Sequence, residues 1–212
     1  MTSLPPAAVL QRRLSPERLA PYVRAAGTVP AALRLHRWNT AVSAALFEDL
    51  ANVEVVLRNA LDERLQAWHV ARHGSGDWWD DPDRVLEPQR HEDVAIAKAR
   101  LTKPATHGRI LAELNFGFWR FLLSRRYEAT LWTPILRHAF PRLTPPRRGE
   151  IGDRLQRLNR LRNRIAHHEP VHALVLQSLH EDCLFVAAAI CDVTEDWVRR
   201  TSRVQATLAI RP

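Results

Sequence analysis

The sequence predicts an all-α fold on three observations. Apolar residues recur at spacings of three and four, helix-start and helix-stop residues punctuate those runs, and hardly any segment alternates as a half-buried strand would. With 212 residues and 46% hydrophobic content, the chain can bury one sizeable core. Residues 1–14 read as a flexible N-terminal tail. Ser15-Pro16-Glu17 then supplies an N-cap and a first-turn proline, and Gly27 supplies a stop, so a short helix is expected from 15 to about 26. A long helix or helix pair should cover about 30 to 71, where Ala45, Leu46, Leu50, Val53, Leu57, Leu61 and Leu65 fall on one stripe. Gly74-Ser75-Gly76 breaks it, and an acidic loop carrying Trp78 and Trp79 extends to about 87. Further helices are expected at 88–101, 107–114 and 116–138, with Lys103-Pro104 separating the first two. After the proline-rich turn from Pro141 to Pro146, a helix from 147 to about 167 turns Ile151, Leu155, Leu158 and Ile165 inward. A last helix should run from 171 or 172 to 200. These elements describe a single domain over 15–203, followed by a C-terminal tail over 204–212.

Composition narrows the function classes. No apolar run is long enough to span a bilayer, and Arg12, Arg13, Glu17 and Arg18 stand where a secretory leader would be hydrophobic, so the expected location is the cytoplasm, with no membrane partner. Cys183 and Cys191 lie in one predicted helix with about 12 Å of rise between them, too far for a disulfide, and are expected as reduced core residues. The net charge is +8, and Lys98 and Lys103 are the only lysines among 31 basic residues. Charge is also uneven along the chain. From Arg142 to Glu169 there are eight arginines against Glu150, Asp153 and Glu169, whereas from Asp77 to Asp93 seven acids face only Arg84 and Arg90. A basic segment gathers a polyanion such as RNA, although solvated helix faces give similar counts. There is no GxxxxGK[ST] loop, no GxSxG elbow and no paired set of metal carboxylates. His168 with His172, and His180 with Cys183, have helical ligand spacing but belong to no compact four-ligand set, so neither a metal nor another cofactor is expected.

The chemistry concentrates in Leu161-Arg162-Asn163-Arg164-Ile165-Ala166-His167-His168-Glu169-Pro170. Arginine offers a permanently charged fork to phosphate oxygens, and histidine both gives and takes protons near neutrality. On a straight helix Arg162 and His167 would project roughly 140° apart, so the proline-terminated helix end is expected to bring them together. An Arg-x4-His pattern alone also fits a solvated helix end. The whole segment resembles the signature of the Abi-like (abortive infection) proteins, a branch of the HEPN superfamily. Two more segments resemble that family in the same order: Trp38-Asn39 with Leu50 to Ala60, containing Glu54, Arg58 and Asn59, and then Phe116-Gly117-Phe118-Trp119 with Leu131-Trp132.

The resemblance implies a HEPN-like helical bundle with additional helices, acting as a metal-independent endoribonuclease and commonly a homodimer with a composite active site. It assigns catalysis to Arg162, Asn163 and His167. Cleavage would leave a 2',3'-cyclic phosphate and a 5'-hydroxyl. Toxin or phage-defence roles follow by analogy, with transfer RNA a candidate substrate and a protein or RNA antitoxin a candidate partner. The alternative is a catalytically silent module that binds RNA or an antitoxin. Glu54, Arg58, Asn59, Arg164 and His168 are candidate supporting or RNA-binding residues. Glu54 and Arg58 equally fit an ordinary i,i+4 ion pair, Asn163 a helix cap and His168 a surface histidine. Phe116, Phe118, Trp119 and Trp132 are expected in the core, with base stacking by one of them or by Trp78 and Trp79 as the minority reading.

Overall fold

The computed structural model describes residues 6–83 and 85–212, and every regular element among them is helical. Ten α-helices run in chain order: α1 Pro6–Leu14, α2 Pro16–Ala26, α3 Val29–His73, α4 Pro88–Arg100, α5 His107–Glu113, α6 Phe116–Leu122, α7 Arg148–Ala166, α8 Leu176–Ile190, α9 Asp192–Thr201 and α10 Val204–Ala209. The fold is all-α. No helix of the described residues is long and apolar enough to cross a membrane.

The axis of the molecule is α3, whose 45 residues span roughly 67 Å. The expected stripe is buried and extends in both directions, from Ala32 through Leu35, Trp38 and Val42 to Leu65 and His69. Helices α2, α6, α7, α8 and α10 pack along it. Local punctuation sets both ends of α2: Ser15 Oγ accepts from the Arg18 amide at 3.2 Å, and Gly27, at φ 80°, closes the last turn by donating to Val23 O.

Four expectations change. Of the supposed N-terminal tail, residues 6–14 form α1 and pack on α2, while residues 1–5 lie outside the described residues. The run from 116 to 138 is not one helix: α6 stops at Leu122, and short 3-10 and π turns follow at Arg125–Tyr127, Glu128–Trp132 and Leu136–Ala139. Pro134, which lacks an N–H, and Ser124, whose amide and carbonyl serve two consecutive tight turns, are the breakers. The last long helix divides at Cys191, which is extended at φ −158°, so α9 folds back on α8. Asp192 and Glu195 in the first turn of α9 carry the start signal that the apolar run obscured. Cys183 is therefore a buried thiol in α8, while Cys191 sits at the corner, half-buried. Lastly, residues 204–212 are not a tail. Trp38 Nε1 donates to Thr207 O at 2.7 Å, Arg203 grips Glu48 with two bonds of 2.6 and 2.9 Å, and Arg211 lies over the Trp38 ring.

The acidic Trp loop docks through its own charges. Trp78 and Trp79 have no exposed surface, and the Trp78 indole donates to Asp62 on α3 at 2.7 Å, which removes both rings from base stacking. Phe116, Phe118, Trp119 and Trp132 are also buried. His107 bridges the loop to α3, with Nδ1 2.7 Å from Asp77 and Nε2 3.0 Å from Asp62, while its ring stacks on Trp79. Burial pulls the His107 pKa down, but the hydrogen bonds to Asp77 and Asp62 outweigh it and leave the pKa raised. A raised folded-state pKa adds stability that is full below the imidazole's ordinary value and lost as pH climbs through the folded value. The melting-temperature advantage of wild type over His107→Gln should therefore shrink as pH rises from about 5 to 9. An advantage that grows with pH would contradict the protonated bridge.

Candidate active site

The basic helix α7 buries Ile151, Leu155, Leu158 and Leu161 and ends where Pro170 limits the chain. Its last turn closes with two bonds, Glu169 N to Arg164 O at 2.8 Å and His168 N to Ile165 O at 3.0 Å. This is the six-to-one and five-to-two pattern of a helix C-terminus that normally carries glycine. Here His168 occupies the left-handed position at φ 55°, which costs a side-chain-bearing residue about 1 kcal/mol. His168→Gly should accordingly raise unfolding stability by up to about 1 kcal/mol in a urea titration. A loss of more than that amount would mean that the imidazole holds the turn.

Four further bonds fix the chain beyond the helix. Arg18 donates to His168 O at 2.9 Å, Arg164 donates to Pro170 O at 2.8 Å, and the buried Asn39 Oδ1 accepts from the amides of Val171 and His172 at 2.8 and 2.9 Å. Sequence inspection placed Asn39 only within a resemblance. Its role as a double acceptor depends on a contact across more than 130 positions.

Most arginines of the basic segment are already engaged. Arg142 pairs with Asp192, Arg148 with Glu128, Arg154 and Arg157 with Asp182, and Arg164 with Glu169. Arg147, Arg160 and Arg162 make no side-chain hydrogen bond or ion pair among the described residues, so the uncompensated positive charge is more local than the sequence count suggests. Arg164, a candidate RNA contact from sequence, serves the helix end.

Arg162 faces a small polar cluster. Burial raises the pKa of the Glu54 carboxyl, and the nearby Arg162 and Arg58 charges, with the Phe116 backbone amide, offset part of that rise. Arg58 Nε is buried without a hydrogen-bond partner, and Glu54 closes no ion pair with either arginine among the described residues. Gly117 lets the start of α6 approach: a Cβ there would stand 3.0 Å from Asn115 Oδ1, which caps the Phe118 amide, and 3.8 Å from Asn159 Oδ1 of α7. The helices carrying Glu54 and Arg58, Phe116 and Gly117, and Arg162 thus converge on one patch. The i,i+4 ion pair expected between Glu54 and Arg58 gives way to this wider arrangement.

Asn59, Asn163 and His167 are exposed. Helix α7 stays regular through Ala166 and stops at His167, where the proline-terminated end is expected; on a regular helix Arg162 and His167 lie about 7.5 Å apart in rise and roughly 140° apart in projection, and their side chains share no hydrogen bond among the described residues. A cleft of about 390 Å3 lies beside the helix end, lined by Arg18, Tyr22, His36, Phe47 and His168, but it contains neither Arg162 nor His167. A second groove, between α7 and α8, combines Arg157, Arg160 and Arg164 with Leu174, Val175 and Leu179. The chain matches no family model, no curated protein and no solved structure.

Proposed function

We propose that the protein is a metal-independent endoribonuclease of the HEPN type that works as a homodimer, with Arg162 and His167 at its centre. The reading rests on one observation: α7 carries an arginine free of protein partners, set beside Glu54 and Arg58, on the same helix as an exposed histidine at its end. In the reaction one His167 takes the proton from a ribose 2'-hydroxyl, O2' attacks phosphorus, and the bond to O5' breaks. The second protomer's His167 protonates O5' as it leaves. Arg162 stabilises the added negative charge on the phosphoryl oxygens, and Asn163 positions a phosphate oxygen or the imidazole. Separation of Arg162 from His167 within one chain favours a composite site, in which a phosphate held by one arginine meets histidines from both copies.

Bases in single-stranded loops are accessible to such a composite site, which makes transfer RNA a suitable first substrate. A toxin or phage-defence role, in the cytoplasm and under an antitoxin, extends the same proposal. The test is incubation of purified protein with total and transfer RNA in excess EDTA, followed by chemical mapping of the new ends. Cyclic-phosphate ends are expected. Intact RNA that is nevertheless bound would replace the enzyme with a silent RNA-binding module.

A further inference from the structure

Three ligand-type side chains meet away from the Arg162 patch, where the acidic loop returns to the C-terminal end of α3. His69 and His73 are one helical turn apart, and Asp81 comes from the loop. His69 Nδ1 is 3.0 Å and His73 Nε2 3.2 Å from the same atom, Asp81 Oδ2, and the three donor atoms lie within 4.8 Å of one another. Asp81 is wholly buried, His69 nearly so, and His73 is 25% exposed on the solvent side. The second carboxylate oxygen, Oδ1, accepts from the Asp83 amide at 2.9 Å, which orients the group.

Metal bonds of 2.0–2.1 Å place neighbouring ligands roughly 3.3 Å apart in a tetrahedron; the two His–Asp separations of 3.0 and 3.2 Å match that spacing, and the third pair lies within 4.8 Å, a gap that movement of the solvent-side His73 can close. The other acids of the loop are already paired, Asp77 with His107, Asp80 with Lys98 and Asp83 with Arg72, which leaves the buried Asp81 carboxylate to the two imidazoles and the Asp83 amide. Two imidazoles and one carboxylate select a borderline transition metal over magnesium or calcium.

We propose that His69, His73 and Asp81 bind a single zinc-class divalent cation, with solvent at the outer position beside His73, and that the ion clips the Trp78–Trp79 loop to α3. Two ligands four residues apart on one helix and a third eight residues later is a spacing visible in the sequence, but ligand counting that seeks four compact residues overlooks it. This site is independent of RNA cleavage, which needs no metal in the mechanism above.

The test uses tag-free, chelator-stripped protein and zinc itself. Wild type should take up one zinc per chain, and zinc at hundredfold excess over its Kd should raise the melting temperature on the order of 5–10 °C. Cobalt as a spectroscopic substitute should give the visible absorption of a low-coordinate site. His73→Gln, altered on the solvent side where the fold tolerates it, should lose at least a hundredfold in zinc affinity on the order expected for a lost ligand, whereas His36→Gln should bind as wild type does. Stripped wild type that takes up no zinc, or His73→Gln that binds zinc as tightly as wild type, would overturn the site. Ribonuclease activity in EDTA is read separately, so neither result bears on the other.

Discussion

His167→Ala is expected to lower RNA cleavage by at least about a thousandfold while leaving the fold intact. General acid–base catalysis contributes typically 10²–10⁴-fold per group, and in a homodimer the substitution removes both the base and the acid. The His167 backbone holds its place by donating to Asn163 O at 3.0 Å, a bond that alanine keeps, and the imidazole is exposed. Stability should therefore change by no more than about 0.5 kcal/mol. Arg162→Ala should reduce cleavage by about 10²–10³-fold, as loss of one transition-state donor does elsewhere, and Arg162→Lys should recover only part of it because a single ammonium cannot present a planar fork. Cleavage rates on end-labelled RNA in EDTA, paired with melting temperatures, separate a chemical defect from a folding defect. Mixing wild type with His167→Ala adds a test of the composite site: activity should fall below what simple dilution predicts. Equal cleavage by wild type and His167→Ala would end the proposal.

Elements with their own local chemistry were legible in the sequence. The stripe from Ala45 to Leu65 repeats every three or four residues and predicts the buried face of α3, and Ser15, Gly27 and Gly74 mark ends that the structure places within one to three residues. Elements decided by distant contacts were not legible. Residues 204–212 have weak helical signals and become ordered because Trp38, more than 150 positions away, donates to Thr207 O while Glu48 anchors Arg203 just ahead of them. The break at Cys191 was hidden because Ala187 to Ile190 continues the apolar pattern of α8, and only Asp192 announces a new start. The candidate site divides in the same way. Arg162, Asn163 and His167 are singled out through the resemblance, but the proximity of Glu54 to Arg162 and Arg58 depends on how the helices cross. The helix stops at His167 as its proline-terminated sequence suggests, and the Glu169 and His168 amides close the last turn so that α7 stays regular through Ala166, with no kink that would turn Arg162 and His167 onto one face.

Asn39→Ala is expected to be the most destabilising polar substitution near the site and to weaken cleavage without touching RNA. One carboxamide oxygen accepts two buried amides, those of Val171 and His172, at 2.8 and 2.9 Å. Removing it strands both donors away from water, at about 1–3 kcal/mol each before relaxation, so a loss of about 2–4 kcal/mol is expected. For a chain of this length that corresponds to a fall in melting temperature of about 5–15 °C. Asn39→Leu discriminates the cause. Leucine restores the volume but not the acceptor, so it should be nearly as destabilising as alanine if the hydrogen bonds dominate, and close to wild type if packing does. The functional consequence follows from the three clamps on this segment, because Arg18 holds His168 O, Arg164 holds Pro170 O, and Asn39 holds the next two amides. Releasing the last clamp frees the chain immediately after the helix end and broadens the positions that His167 samples. A proton transfer that needs atoms within about 3 Å is sensitive to such broadening. Cleavage by Asn39→Ala, measured well below its own melting temperature, should therefore drop on the order of tenfold while RNA affinity changes little. Full activity in a protein destabilised by several kcal/mol would show that His167 is positioned by α7 alone, and wild-type stability in Asn39→Leu would show that side-chain volume at this position, not the shared acceptor, carries the stability.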